Sequence, residues 1–151
     1  MDKSASRPEE DEAGEYITPT PPYGGTIVVY RRAGPRWEYL LLHRSHNGPA
    51  YDGDWAWTPP SGSRWPGEDF EECAARELFE ETGLRLMLQS MNTESGAWLV
   101  YNAESSETDA IRLSDEHDRF VWLPIDGAVK LVTPAEPRIQ LERVARLIES
   151  S

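Results

Sequence analysis

Two apolar runs stand close together near the start of the chain. TIVVYRR follows Gly24-Gly25, and WEYLLLHR follows the turn residues Ala33-Gly34-Pro35. A β-branched run and a second apolar run across a short turn predict two strands joined as a hairpin. Residues 47–54 are dense in glycine, proline, asparagine and aspartate and predict a loop. Trp55-Ala56-Trp57 predicts a short strand leading into Thr58-Pro59-Pro60. Over residues 68–82 the apolar spacing becomes helical, and Gly83 offers a C-terminal stop. LRLMLQS (84–90), GAWLVYNA (96–103) and RFVWLP (119–124) predict three further strands. A short helix is expected over 126–131. A final helix over 137–149 would carry Ile139, Val144, Leu147 and Ile148 as its apolar stripe. Strands, a helix, more strands and a terminal helix predict an α/β fold, a mixed sheet with helices on both faces.

Composition refines this picture at the N-terminus. Residues 1–22 contain PEEDEAGE and TPTPP, too polar and proline-rich to bury a core, so they read as a partly disordered tail. Residues 23–151 then form the single domain that a chain of 151 residues accommodates. The net charge of −12 argues against binding to long nucleic acid or to an anionic membrane, since both require lysine and arginine. A small phosphorylated ligand stays compatible if cations mediate the contact. No apolar run reaches the ~20 residues of a membrane span, and the N-terminus lacks a secretory signal's apolar core. The expectation is a soluble cytoplasmic protein, monomer or homodimer. Cys73 is the single cysteine, which excludes an intrachain disulfide and predicts a buried filler within the helix.

The helix carries an unusual charge pattern. From Gly62 to Leu84 the acids are Glu68, Asp69, Glu71, Glu72, Glu77, Glu80 and Glu81. At roughly 100° per residue, Glu77, Glu80 and Glu81 share one arc, while Phe70, Ala74 and Leu78 share the neighbouring, core-facing one. Arg76 is placed to pair with Glu80 or Glu72. One arginine leaves Glu77 and Glu81 a single turn apart and mutually repulsive. A divalent cation removes the conflict, and clustered hard oxygen ligands suit Mg²⁺ or Mn²⁺ together with substrate phosphates. Ser61-Gly62, after two prolines, makes a tight junction at which a backbone carbonyl can reach the metal.

The spacing Gly62, Glu68, Arg76, Glu77, Leu78, Glu80, Glu81, Gly83, Leu84 matches G-x5-E-x7-R-E-U-x-E-E-x-G-U, where U is aliphatic. It resembles the Nudix signature at every specified position, and the strand order resembles that family's fold along most of residues 23–150. The resemblance implies a Nudix-type α/β/α sandwich and a Mg²⁺-dependent phosphoanhydride hydrolase. By position it implies Glu80 and Glu81 as metal ligands, Glu77 as ligand or base, and Glu68 at the same cluster. It also implies Arg76 orienting a glutamate and the Ser61 carbonyl completing the metal shell. The choice of base varies within the family. Ser114-Asp115-Glu116-His117 before RFVWLP resembles a further family arrangement, which nominates Glu116 as an additional ligand or base.

Two flanking features bear on the substrate. Trp57-Thr58-Pro59-Pro60 resembles the W-T-P-P opening of asymmetric diadenosine tetraphosphate hydrolases. Tyr101, 17 residues after Leu84 (101 − 84), resembles a tyrosine of diadenosine polyphosphate hydrolases and is a candidate to stack on adenine. Ser61, Ser63 and Trp65 depart from that pattern. Trp65 is a candidate second stacking face and Arg44 a candidate phosphate contact. His43 and His46 lie near the same strand end without zinc-ligand spacing. The resemblance thus favours a small-molecule nucleotide substrate, diadenosine polyphosphate first. A nucleoside triphosphate, a nucleotide sugar or an RNA 5′ end remain alternatives. A non-catalytic nucleotide-binding module is a third reading, one that typically loses box glutamates; all four are intact here.

Overall fold

The computed structural model describes residues 18, 20–91 and 97–150. In chain order the elements are β1 (Gly24–Ala33), β2 (Arg36–Arg44), β3 (Trp57–Thr58), β4 (Ser61–Ser63) and α1 (Phe70–Thr82). They continue with β5 (Gln89–Ser90), β6 (Trp98–Ser105), β7 (His117–Leu123), α2 (Ile125–Leu131) and α3 (Ala135–Glu149).

The expected hairpin forms, with β1 antiparallel to β2 and Tyr30 opposite Tyr39. On its other side β1 runs parallel to β6, with Ile27 opposite Tyr101. The remaining pairings are antiparallel, so the seven-stranded sheet is mixed. Unbroken apolar runs fit because both faces of the sheet are covered. Val28, Tyr39, Leu41 and Val100 pack with Ala128, Val132, Leu141 and Val144 of the α2–α3 side. Ile27, Val29, Leu40, Leu42 and Tyr101 pack with Ala74 and Leu78 of α1. The molecule is an α/β/α sandwich.

Asp69 caps α1 by accepting from the amides of Glu71 and Glu72 at 3.1 and 3.2 Å. Gly83 ends it at φ 76°, a left-handed position that glycine adopts without strain. Cys73 is buried as expected, and burial, then the Glu68 charge, push its thiol up to about 12. We predict that a thiol reagent near pH 8 leaves the native protein unlabelled and labels it rapidly in concentrated guanidinium. Rapid native labelling would show that Cys73 is not held in this environment.

Several expectations are corrected. Residues 84–88 join no strand among the described residues, and only Gln89–Ser90 pairs, with β6. Leu86 and Leu88 pack on the core while Met87 is exposed, so the alternation is that of a chain lying on a core without a ladder partner. Trp55 sits in a turn, and the strand begins at Trp57. The stripe of α3 is Pro137, Leu141, Val144 and Ala145, with Ile148 partly buried; Ile139 and Leu147 face outward. The helix starts two residues before Pro137, and its buried face runs through positions 137, 141, 144 and 145. Phe70 is exposed rather than core, beneath the Arg64 guanidinium at 4.9 Å.

The tail expected over 1–22 lies mostly outside the described residues. Its last part is bonded to the domain. Arg64 donates to the carbonyls of Pro22, Thr20 and Glu68 at 2.8, 3.2 and 2.8 Å, and the Thr18 amide donates to the Arg64 carbonyl. Among the described residues no helix is long and apolar enough to cross a membrane.

Candidate active site

The strand-to-helix junction gathers the signature residues at one cleft. Its walls include β4 beside β1, one face of α1, and the chain entering β7. Ser61, Gly62, Trp65, Glu77, Glu80 and Glu81 line it, with Arg44, His46 and Glu116. The cleft holds about 840 Å³, within the range of small-molecule sites. Of the residues expected from the sequence, it therefore unites Ser61, Glu77, Glu80, Glu81, Glu116, Arg44 and Trp65.

Glu81 is 4% exposed and accepts from the Ser61 amide at 3.2 Å. Burial first, then the charges of Glu77 and Glu116, push its carboxyl well above the usual carboxylate range. Burial also raises Glu77, against the opposing charge of Arg76, with Glu80 and Glu116 adding to the rise. Two buried carboxylates a turn apart resist ionising together, which is the conflict read from the helix spacing. Gly62 packs so tightly on this pair that a Cβ there would run into the Glu77 carboxylate. The glycine is thus required by side-chain approach, not by backbone angle.

Arg76 and Glu68 stand behind the cleft rather than in it. Arg76 donates to Glu68 through Nε at 2.7 Å and Nη2 at 2.9 Å, and to the Ser63 carbonyl at 3.0 Å. Its Nη1 pairs with Glu77 and, at 3.2 Å, with Glu80. The pairing with Glu72 does not occur; the guanidinium turns to the glutamates of the box. The other Glu68 task is to accept the Trp65 amide at 3.1 Å. Both Glu68 oxygens are engaged, and in this arrangement the residue buttresses Arg76. Arg76 also lies 3.9 Å over the Trp65 ring, which occupies one face of that candidate stacking residue.

Among the described residues, no three His, Cys, Asp or Glu side chains already converge as a cation cluster. Arg76 draws Glu68, Glu77 and Glu80 toward itself. The donor chemistry nonetheless fits a hard divalent cation. Glu77, Glu80 and Glu81 supply only carboxylate oxygen, and for Glu77 and Glu81 burial disfavours the charge unless a cation is beside them.

Tyr101 is not in the cleft. It is 4% exposed, in the core beneath α1 with Ile27 and Leu78, and its ring approaches Gly25. Its place one residue after Val100 puts it on the α1 face of the sheet. In this position its ring is not presented to the cleft. His43 is fully buried, its Nδ1 2.9 Å from Asp118 and its Nε2 2.7 Å from the Tyr51 carbonyl. His46 does reach the cleft. His117 lines it as well, and burial, then Arg44, lower its pKa to about 4; its Nδ1 is buried with no hydrogen-bond partner.

Three further groups at the cleft escaped the sequence reading. Trp98 donates through Nε1 to the Thr26 hydroxyl at 2.8 Å, and both line the cleft. Glu136, Pro137 and Gln140 reach it from the first turns of α3, and Trp55 from the loop before β3. Polar residues on an amphipathic helix look like a solvent face, and nothing in their spacing announces a cleft.

The sequence pattern of the NUDIX domain family matches residues 21–144. The asymmetrical bis(5′-nucleosyl)-tetraphosphatase of Rattus norvegicus is 35% identical over 136 residues, covering 78% of this chain and 88% of the relative. That of Caenorhabditis elegans is 30% identical over 122 residues, covering 73% and 84%. A crystal structure of a C. elegans Ap4A hydrolase binary complex superposes with a TM-score of 0.69 at 27% identity, over 85% of this chain and 99% of that one. The chain belongs to the NUDIX family and is a pyrophosphohydrolase.

Proposed function

We propose that the protein hydrolyses dinucleoside polyphosphates, diadenosine tetraphosphate above all, with Mg²⁺ or Mn²⁺ as its cofactor. The observation that carries this reading is the cleft itself, which joins the buried Glu81 and the half-buried Glu77 to a space wide enough for more than phosphate and edged by tryptophans. The relatives that share most of their length with this chain bear the corresponding name. The net charge of −12 supports small nucleotides over long nucleic acid or membrane, and a cytoplasmic setting follows from that substrate class.

Glu77, Glu80 and Glu81 would hold the cation, with Glu116 and the Ser61 backbone beside them. A bound divalent ion neutralises phosphate oxygens and acidifies water. The chain's own residues do the rest. Glu77 or Glu116 takes the proton as water adds to phosphorus and the bridging P–O bond breaks, releasing two nucleotides. Arg76 fixes the Glu77 carboxylate, and Glu68 fixes Arg76. Arg44 meets phosphate at the rim, and Trp65 closes the side next to Arg76.

The test is product analysis with Mg²⁺ and with chelator, across diadenosine tetraphosphate, a nucleoside triphosphate, ADP-ribose, a nucleotide sugar and a 5′-triphosphate RNA. ATP plus AMP from the dinucleotide, abolished by chelation, is the expected result. A clear preference for another substrate would discard the dinucleotide and retain the hydrolase. Turnover undiminished by chelation would discard the cofactor.

A further inference from the structure

Trp55 is built in a way that packing does not require. It holds φ at 68°, and it is the non-glycine residue in the left-handed region among the described residues. A bulky side chain there is strained, and such strain persists where the surroundings over-determine it. Here they do. The Trp55 amide donates to the Thr133 carbonyl at 2.7 Å, and the next amide, Ala56, donates to the Gly53 carbonyl at 3.1 Å.

The strain serves no core contact. The ring is 42% exposed and belongs to neither apolar cluster. The other tryptophans are engaged within the protein: Trp57 edge-on to His43, Trp65 under Arg76, Trp122 under Arg31, Trp37 against Tyr30, and Trp98 through its Nε1. For Trp55, no such ring contact or side-chain hydrogen bond occurs among the described residues. What the strained backbone achieves is to present the indole to the cleft, which Pro137 and Gln140 of α3 also line.

We propose that Trp55 is the platform on which a nucleobase of the substrate stacks, the role that Tyr101 is too deeply buried to fill. An indole face accepts a base by π-stacking, and a left-handed backbone fixes that face before the substrate arrives. This rests on the proposed reading only in that a nucleotide occupies the cleft.

The experiment compares the wild-type protein with Trp55→Gly and Trp55→Phe. It measures affinity, with Mg²⁺ present, for a methylene-bridged diadenosine tetraphosphate, for ATP and for inorganic tripolyphosphate, together with Tm. Trp55→Gly is expected to weaken both adenine ligands about 5- to 150-fold, the range set by loss of one stacked base. It should leave tripolyphosphate unchanged and Tm equal or higher, because glycine adopts this φ freely. Trp55→Phe should retain most of the affinity. Unchanged adenine binding in Trp55→Gly, or an equal loss for tripolyphosphate, overturns the platform. The two readings fail separately. Wild-type protein that leaves diadenosine tetraphosphate uncleaved, yet shows a Trp55→Gly loss for ATP over tripolyphosphate, supports the platform and discards the dinucleotide.

Discussion

Replacing Glu81 with glutamine is expected to lower kcat by about a thousandfold and to leave the fold standing. A cation at a phosphoryl site contributes several kcal/mol of transition-state stabilisation, and each ~1.4 kcal/mol is tenfold in rate. Glutamine keeps the shape and an oxygen donor but removes the charge with which Glu81 would hold the proposed ion. The fold survives because Glu81 is buried, so its charge opposes folding. The sign follows from its raised carboxyl. The folded state binds the proton more tightly than the unfolded chain does. The stability from this group is therefore fully present below the unfolded pKa, near 4.3. It is lost as pH rises through the folded value. At pH 8 without metal, the Gln variant should thus melt no lower than wild type, and at acid pH the two should converge from that side. Thermal melts in chelator and single-turnover rates in excess Mg²⁺ measure both halves. Retained turnover would remove Glu81 from the cation site, and a lower Tm at pH 8 would contradict the cost of burying its charge.

The shared carboxylate face was legible because helical spacing is arithmetic. Glu77, Glu80 and Glu81 fall on one arc whatever the rest of the chain does, and Gly62 and Gly83 mark the ends of the segment. The hairpin and the two-faced core were legible for a similar reason, since unbroken apolar runs demand cover on both sides. Distance along the chain could not say which face of the sheet Tyr101 occupies. In a strand a single residue decides that, and Val100 and Tyr101 go to opposite sides. Ile139 and Leu147 misled because apolarity alone does not set the phase of α3; the face that meets the sheet carries Pro137, Leu141, Val144 and Ala145. Glu68 was placed at the cation cluster by its position in the resembled signature, which says nothing of what its carboxylate bonds to. Its partner sits eight residues on, and the bidentate grip of Arg76 is a property of the folded junction. Trp55 broke a local rule, a bulky residue where glycine is favoured, and such positions are where function tends to override propensity.

Arg76 is the residue whose loss should cost the most stability. Its side chain is 8% exposed, and it is held by Glu68, Glu77, Glu80 and the Ser63 carbonyl over the Trp65 ring. Arg76→Ala strands the largely covered carboxylates of Glu68 and Glu77, 12% and 13% exposed, without their cation. Breaking a buried pair by removing one partner costs about 3–5 kcal/mol. For a domain of this size that lowers Tm by roughly 6–20 °C. Lysine should recover little, because a point charge cannot grip Glu68 in two places and reach Glu77 as well. Two dependences identify the cause. Acid should shrink the deficit, since protonated carboxyls no longer need a cation. Mg²⁺ should shrink it too, since a divalent ion among Glu77, Glu80 and Glu81 replaces part of the missing charge. Loss of packing against Trp65 alone would give a deficit indifferent to both. A variant that melts with wild type at pH 8 in chelator would show that the cluster does not depend on the arginine at all. Turnover should fall alongside stability, because Glu77 loses the group that aims it.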